Sequence, residues 1–390
     1  MVRRFFFFLA FFVYTQCIPC IAQHVAHGKP SLATGAAIDT EGRLWIVGVE
    51  HGKLFIRQQE RDGTWQALRV IDNAGEVVAT NGDNRPKIAF GPNKTVVITY
   101  TRPLAKPYTG EIRMLRSHDG GATFSMPFTV HQDRQVITHR FESVMFDAVG
   151  DLYVAWIDKR DAERAWAAAQ GDQDAYTGAA IYYAVSADAG KTFGPDTKLA
   201  DYSCECCRIA LLAEPGRGIA VLWRHVFAGN IRDHAFARLS RAGSSEIQRA
   251  SFDEWTLKAC PHHGPGLARA AKGGYHAVWF GERAGLLRAR YGRLDEQGRP
   301  VGEPVAIPDQ WADHADVAST GDRLVIVWRS FDGEYTHLRA WLSADDGQSF
   351  RLRELHRTST ENDQPRLVTQ GDRVVVIWRT EHETYVEDLR

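Results

Sequence analysis

Cysteine is concentrated in two short stretches of the chain. Three cysteines occupy four positions of the first stretch, Tyr202-Ser203-Cys204-Glu205-Cys206-Cys207-Arg208. The second stretch, Cys260-Pro261-His262-His263-Gly264, holds a fourth cysteine followed by two histidines. Thiolates and imidazoles are the ligands that soft and borderline metal ions prefer. These residue types therefore predict a metal site, provided that the fold brings the two stretches together.

The predicted ligand set combines both stretches. It consists of Cys204, Cys206, Cys207, Cys260, His262 and His263. Copper, as Cu(I), is the first choice, because it is the soft metal that exported bacterial proteins most often handle, and zinc is the alternative. The predicted partners are accordingly a metal ion and a membrane transporter or periplasmic metal-handling protein, and the protein is expected to be a monomer.

Two other interpretations of the cysteines are open. In an oxidising compartment an even number of cysteines usually forms disulfides, for instance Cys260 with Cys204 or with Cys207. Cys206 and Cys207 are adjacent and could pair only as a strained vicinal disulfide. Thiol redox chemistry is the third possibility.

The N-terminus has the pattern of a signal peptide over residues 1–22. Arg3 and Arg4 precede an apolar run, Phe5 to Tyr14, that is too short to span a bilayer. Cys20-Ile21-Ala22 then offers a small-residue cleavage site. The pattern predicts a periplasmic or secreted protein, with an uncleaved anchor as the alternative. Cleavage would remove Cys17 and Cys20 and leave four cysteines in a single domain, 23–390.

From about residue 30 the chain consists of repeated units. Each unit contains a β-rich segment that ends near an aromatic residue, and these segments follow one another at steps of about 50 to 67 residues, the size of a propeller blade. The seven segments are Leu44-Trp45-Ile46-Val47, Val96-Val97-Ile98-Thr99-Tyr100, Leu152-Tyr153-Val154-Ala155-Trp156, Ile219-Ala220-Val221-Leu222-Trp223, Tyr275-His276-Ala277-Val278-Trp279, Leu324-Val325-Ile326-Val327-Trp328 and Val374-Val375-Val376-Ile377-Trp378. They predict an all-β, seven-bladed β-propeller of four-stranded antiparallel blades, with a six-bladed propeller as the alternative. The last unit has room for three strands, so the residues before Ser31 are expected to supply its fourth.

A second repeated motif marks three of the units. It reads Ser-x-Asp-x-Gly-x-Thr/Ser-aromatic and occurs as Ser117-His118-Asp119-Gly120-Gly121-Ala122-Thr123-Phe124, Ser186-Ala187-Asp188-Ala189-Gly190-Lys191-Thr192-Phe193 and Ser343-Ala344-Asp345-Asp346-Gly347-Gln348-Ser349-Phe350. A shortened version is Arg61-Asp62-Gly63-Thr64-Trp65. Ser and Asp side chains bond turn amides and Gly accepts positive φ, which predicts tight hairpins. The motif resembles the Asp-box of sialidase-like (BNR-repeat) propellers, where it joins the third and fourth strands away from the active site.

This resemblance makes glycoside hydrolysis the competing function. Sialidases need an arginine triad, a Tyr–Glu pair and an acidic Asp, and their Tyr nucleophile departs from the usual two-carboxylate scheme. Candidates for the arginines and the acid are Arg140, Arg208, Arg366, Arg379, Asp158 and Asp161, whereas Tyr335 and Glu334 are adjacent and would point in opposite directions on a strand. The family's Arg-Ile-Pro motif has only the divergent match Arg85-Pro86-Lys87-Ile88.

The repeat register positions the cysteines. Cys204 to Cys207 precede the first strand of the fourth unit, Ile209-Ala210-Leu211-Leu212, and Cys260 to His263 precede that of the fifth, Leu267-Ala268-Arg269. Equivalent positions in neighbouring blades lie side by side at the channel mouth, so we expect the two stretches to meet. Arg, Asp and His recur at this register, which indicates either an anion site or a rim whose charges pair among themselves.

The remaining features narrow the function further. The net charge of -1 gives no support to nucleic-acid binding. An Ala-rich insertion, 161–178, contains a short predicted helix and is expected to overhang the mouth as a lid or as a tolerated surface insertion.

The sequence thus predicts a metal-binding propeller in copper acquisition or homeostasis, with a sialidase-like hydrolase as the alternative. The third possibility is a protein-interaction propeller with structural disulfides.

Overall fold

The structure is a computed structural model that describes residues 31–168 and 178–389. It contains seven antiparallel sheets in chain order, and each is one blade of a β-propeller. The fold is therefore all-β and seven-bladed, so the six-bladed alternative is wrong. The predicted signal peptide, and the predicted strand from the residues before Ser31, lie outside the described residues.

The first three blades have four strands each and the fourth has five. Their strands are β1 (Gly35–Ile38), β2 (Leu44–Glu50), β3 (Lys53–Gln59), β4 (Arg69–Val70); β5 (Lys87–Phe90), β6 (Val96–Pro103), β7 (Gly110–Ser117), β8 (Phe128–Thr129); β9 (His139–Phe146), β10 (Leu152–Asp158), β11 (Ala179–Ser186), β12 (Thr197–Ser203); and β13 (Ala210–Glu214), β14 (Gly218–Arg224), β15 (His234–Ser240), β16 (Gly243–Ser244), β17 (Gln248–Arg249). In the fourth blade two short strands, β16 and β17, take the place of a single fourth strand, and both pair with β15.

The last three blades follow the same order. Their strands are β18 (Gly266–Arg269), β19 (Tyr275–Arg283), β20 (Leu286–Leu294), β21 (Pro300–Ala306); β22 (Asp313–Thr320), β23 (Arg323–Phe331), β24 (Thr336–Ser343), β25 (Arg351–Thr358); and β26 (Arg366–Gln370), β27 (Arg373–Arg379), β28 (Thr384–Asp388). All seven predicted β-rich segments are the second strands of their blades, which confirms the repeat register. The seventh blade has three described strands.

The core is divided into seven apolar clusters, one for each pair of neighbouring blades. The aromatic residues that end the second strands lie in these clusters, and Trp45, Trp156, Trp223, Trp328 and Trp378 are almost fully buried. Trp223, for example, packs with Tyr153 of the preceding blade. The tryptophans therefore pack between blades, and burial between blades contributes to the hydrophobic stabilisation of the ring.

The ring closes between the seventh and the first blades. The first strands of successive blades contact one another from β1 through β5, β9, β13, β18, β22 and β26, and β26 contacts β1. Ile377 and Val375 of the seventh blade pack against Leu44 and Ile46 of the first. A complete ring leaves no blade face without a partner, which is how propellers protect their apolar surfaces.

The three full Ser-x-Asp-x-Gly motifs form the same hairpin turn between the third and fourth strands. Ser117 donates a hydrogen bond of 2.7 Å to Asp119, and Thr123 donates one of 2.6 Å to the same carboxylate. The backbone N–H of Gly121 donates to Ser117 Oγ at 2.8 Å. The turns at Asp188 and Asp345 repeat these bonds. Local side-chain bonding thus fixes each turn, as the motif predicts.

The opposite face carries the loops after the second and fourth strands. The insertion begins there with a nine-residue helix, α1 (Arg160–Ala168), which confirms the predicted helix. Its role as a lid stays a prediction. Within the described residues, no helix has the length and apolar character that a membrane span requires.

Candidate metal centre

Three sulfur atoms lie together where the third blade leads into the fourth. Cys204, Cys206 and Cys207 follow β12, and the Sγ atoms of all three lie within 4.8 Å of one another. Cys204 Sγ is 3.8 Å from Cys206 Sγ and 3.4 Å from Cys207 Sγ. The three side chains are 2%, 6% and 2% exposed, and they belong to the apolar cluster between the third and fourth blades.

The backbone holds this group against the fourth blade. Ser203 pairs with His225, and the N–H of Cys204 donates to Arg224 O at 3.0 Å. On the opposite side Glu205 forms a 2.6 Å ion pair with Lys159, which precedes α1. The sulfur-bearing loop is therefore fixed on both flanks and its three thiols face inwards.

Cys260 lies on the next connection along the ring, and its sulfur is outside the trio of Sγ atoms that lie within 4.8 Å of one another. The four cysteines that the structure describes form no disulfide. Cys260 is exposed, unlike the other three, and its hydrogen bond with Cys204 raises the pKa of its thiol. The two stretches do contact each other, because Arg208 Nη2 donates to Gly264 O at 3.4 Å. That Cys260 is a metal ligand stays a prediction.

The electrostatic surroundings favour negative charge at Cys204. Hydrogen bonds from Cys206, Cys207 and Cys260 lower the pKa of the Cys204 thiol well below its ordinary value, and the guanidinium of Arg224 adds to the effect. Arg232 Nη1 also lies 3.7 Å from Cys204 Sγ. These surroundings favour the thiolate form of Cys204, the form of cysteine that binds metals and attacks electrophiles.

The other two thiols of the trio show the opposite trend. The hydrogen bond with Cys204 raises the pKa of Cys206, and burial raises the pKa of Cys207. A cation bound between the sulfurs would replace these two protons and offset the charge of the thiolates. Among the three buried thiols, Cys204 is therefore the one whose surroundings favour loss of the proton.

The two histidines of the second stretch do not join the sulfur group. The ring of His263 stacks on Phe280, with ring centroids 4.1 Å apart, and on His314, with centroids 4.3 Å apart. Burial lowers the pKa of His263 to about 4. His262 is exposed and has a positive φ of 57°. The set of described donor atoms that lie within 4.8 Å of one another contains the three buried sulfurs, and it includes neither Cys260 nor either imidazole.

Sequence reasoning missed the arginines around the sulfurs. Arg232 lies on the loop between β14 and β15, which carries no metal-binding signal, and Arg224 ends β14 as one of several similar rim arginines. Arg224 is 1% exposed and donates to backbone oxygens of Arg232, His263 and Phe280. The sequence does hold one signal that an arginine would lie beside the sulfurs. That signal is an arginine at the end of a buried strand, in the blade position that faces a cysteine-bearing loop.

The charged residues of the channel mouth pair among themselves. The pairs are Arg85 with Asp363, Lys87 with Glu142, Arg208 with Asp316, Arg329 with Asp313, and Arg366 with Asp83. Of the two interpretations of the rim, internal pairing is therefore the one that the structure favours. Three of the four arginines considered for a sialidase triad, Arg208, Arg366 and Arg379, already have carboxylate partners.

The candidate acids of a sialidase mechanism are engaged as well. Asp158 is fully buried, where it accepts hydrogen bonds from Trp156 Nε1 and from Arg160. Asp161 accepts a 2.7 Å bond from the hydroxyl of Tyr182. Tyr335 lies in the turn between β23 and β24, where its backbone N–H donates to Asp332.

Cys260 is exposed and the other three cysteines are buried. This difference predicts the order in which the four thiols are alkylated in the reduced, metal-free protein. Cys260 should react with iodoacetamide before the other three cysteines, because burial of their sulfurs outweighs the thiolate character of Cys204. A time course followed by peptide mass spectrometry would measure the order. Equal labelling rates at Cys204 and Cys260 would contradict the arrangement described above.

Comparisons with known proteins bear on the fold. No protein-family profile matches the chain, and no curated protein matches its sequence. Among solved structures, a polysaccharide lyase, an ulvan lyase, is similar with a TM-score of 0.57 and 12% identity, over 90% of each chain. A Hadza microbial sialidase matches with a TM-score of 0.52 and 12% identity, over 87% of this chain and 74% of its own. An α-L-arabinanase of Penicillium chrysogenum matches with a TM-score of 0.50 and 14% identity, over 78% and 92%.

These similarities are structural, since the sequence identities are far too low to transfer a site. The propeller frame is shared with enzymes that cleave polysaccharides, sialosides and arabinans. The chain is thus a seven-bladed β-propeller whose fold is similar to those of a polysaccharide lyase, a sialidase and an arabinanase.

Proposed function

We propose that this propeller binds one soft metal ion, Cu(I), through Cys204, Cys206 and Cys207. The observation that carries the proposal is the buried trio of sulfurs within 4.8 Å of one another. Thiolates bound at about 2.3 Å to one ion stand about 3.8 Å apart in tetrahedral geometry. The separations of 3.4 and 3.8 Å from Cys204 therefore need little adjustment to accept an ion.

The charges around the trio support a cluster of thiolates. Arg232 contacts Cys204, and Arg224 lies close enough to lower the pKa of that thiol further. Guanidinium groups offset part of the negative charge that three thiolates and a monovalent ion carry together. A buried site without such compensation would resist the second and third deprotonation.

The exposure of the fourth cysteine, Cys260, favours copper over zinc. Cys204 and Cys207 stand three residues apart, the spacing that structural zinc sites commonly use. Structural zinc sites are, however, almost always closed by four ligands, whereas Cys260 is exposed. Three buried sulfurs with an exposed fourth suit an ion that is acquired and released, which supports a role in copper acquisition or homeostasis in an oxidising compartment.

Elemental analysis of the protein from its native compartment, combined with thiol titration, tests the metal proposal. About one copper per chain with protected thiols at the trio is the expected result. Zinc in its place would change the ion and keep the site. A trio oxidised to disulfide, with no metal, would reject the function and favour the interaction propeller with structural disulfides.

A carbohydrate-active enzyme is the second candidate, and the comparisons favour it more than they favour a metal-binding protein. The similar solved structures include a lyase, a sialidase and an arabinanase, and the Ser-x-Asp-x-Gly turns support kinship with the Asp-box propellers. Against it stand the internal ion pairs of Arg208 and Arg366. Turnover of a fluorogenic sialoside or of a uronate-containing polysaccharide would establish this function, and inactivity on both would remove its support.

A further inference from the structure

The segment that carries Cys260 is an arch held at its two ends. At one end Leu257 O accepts hydrogen bonds from Asn230 Nδ2 at 2.8 Å and from Arg232 Nε at 3.0 Å. At the other end His263 O accepts a bond of 3.1 Å from Arg224 Nη2. Between these anchors, residues 258–262 form no backbone hydrogen bond with the part of the chain that the structure describes.

The arch differs in kind from the loop that carries the buried trio. Lys258, Ala259 and Cys260 are all exposed, and His262 has a positive φ, which a residue with a Cβ adopts at some cost. Segments with few buried contacts and no backbone hydrogen bonds open at low free energy. The arch can therefore move Cys260 without disturbing Cys204, Cys206 or Cys207.

We infer that Cys260 is the exchangeable ligand of the site, through which the metal ion passes to a partner that presents a thiol. This inference rests on the proposed function and adds to it the chemical class of the partner. The trio retains the ion inside the blade interface, whereas Cys260 occupies the coordination position that faces solvent. That position is the only one of the four that an incoming thiol can reach, because the other three sulfurs are nearly inaccessible.

The exchange is a ligand substitution without any change of oxidation state. The bond between the metal and Cys260 Sγ breaks as a bond to the acceptor's sulfur forms. The proton of the acceptor thiol passes to the Cys260 thiolate. Subsequent thiols of the same partner then displace the buried sulfurs, or the ion returns to the trio when the partner dissociates.

The test measures Cu(I) transfer to excess bicinchoninate from the purified, Cu(I)-loaded protein. Wild type should transfer Cu(I) faster when glutathione is added, and S-methylglutathione, which lacks the thiol, should have no such effect. Cys260→Ser should retain Cu(I) through desalting and release it at least about tenfold faster than wild type without glutathione, because the position facing solvent is then open.

Each other outcome has a distinct meaning. Equal release rates for Cys260→Ser and wild type would overturn the exchange role and leave the proposed function standing. Loss of all Cu(I) from Cys260→Ser during desalting would make Cys260 a permanent ligand and would also overturn it. Equal effects of glutathione and S-methylglutathione would overturn the thiol partner. Failure of wild type to retain Cu(I) at all would reject the proposed function together with the inference.

Discussion

Cys204→Ser is expected to lower the affinity for Cu(I) by more than about 100-fold, beyond the loss typical of residues that merely orient a ligand. The sulfur of Cys204 is the hub of the cluster, since Cys206 Sγ, Cys207 Sγ and Arg232 Nη1 lie 3.8, 3.4 and 3.7 Å from it. Serine has a similar shape but offers a hydroxyl that stays protonated and is a poor ligand for a soft ion. Competition with a Cu(I) chelator of known affinity measures the change.

Glu205→Gln is the matched control for this variant. Glu205 lies in the same loop, between two of the cysteines, and it forms an ion pair with Lys159 on the flank of the cluster. A change there perturbs the loop without removing a sulfur, so Cu(I) affinity should stay within a few-fold of wild type. If both variants lose affinity equally, the loop matters for a reason other than its sulfurs. If neither variant loses affinity, Cys204 does not bind Cu(I).

Asp363→Ala is expected to lower the free energy of unfolding by about 3–5 kcal/mol, the usual cost of leaving a buried charge unpaired. The carboxylate of Asp363 accepts bonds of 2.7 and 2.9 Å from both Nη atoms of Arg85. It also accepts the backbone N–H of Thr34 at 3.0 Å. The pair joins the seventh blade to the start of the chain and to the second blade, and both side chains are 5% exposed or less. Denaturant unfolding measures the loss.

The control is Asp201→Ala, which removes the same type of side chain from an exposed pair. Asp201 lies 3.1 Å from Lys198, and each side chain is 40% exposed. Solvent-exposed ion pairs contribute about 0–1 kcal/mol, so this variant should be close to wild type. Comparable losses in the two variants would show that ring closure does not depend on the Arg85–Asp363 pair.

The fold could be predicted from the sequence because the repeat is local and periodic. Each second strand is a run of β-branched and apolar residues that ends near an aromatic, such as Leu324 to Trp328, and burial on both faces requires that composition. The repeat register also placed the two cysteine-bearing stretches next to each other, since both precede the first strand of a blade. This inference needed the order of strands in a blade and no side-chain detail.

Side-chain directions at the mouth could not be predicted in the same way. His263 follows Cys260 by three residues, yet its ring turns towards Phe280 and His314. Arg208 and Arg366 likewise share the register of an anion site but pair with Asp316 and Asp83. These outcomes depend on contacts between blades that are distant in sequence, and the periodicity of one blade carries no information about them.

The most direct test is an anomalous diffraction map of the Cu(I)-loaded protein collected at the copper absorption edge. The account predicts a single strong peak within bonding distance of Cys204, Cys206 and Cys207 Sγ, at the interface between the third and fourth blades. A peak at another position, or density that joins two of these sulfurs directly with no copper signal, would contradict it.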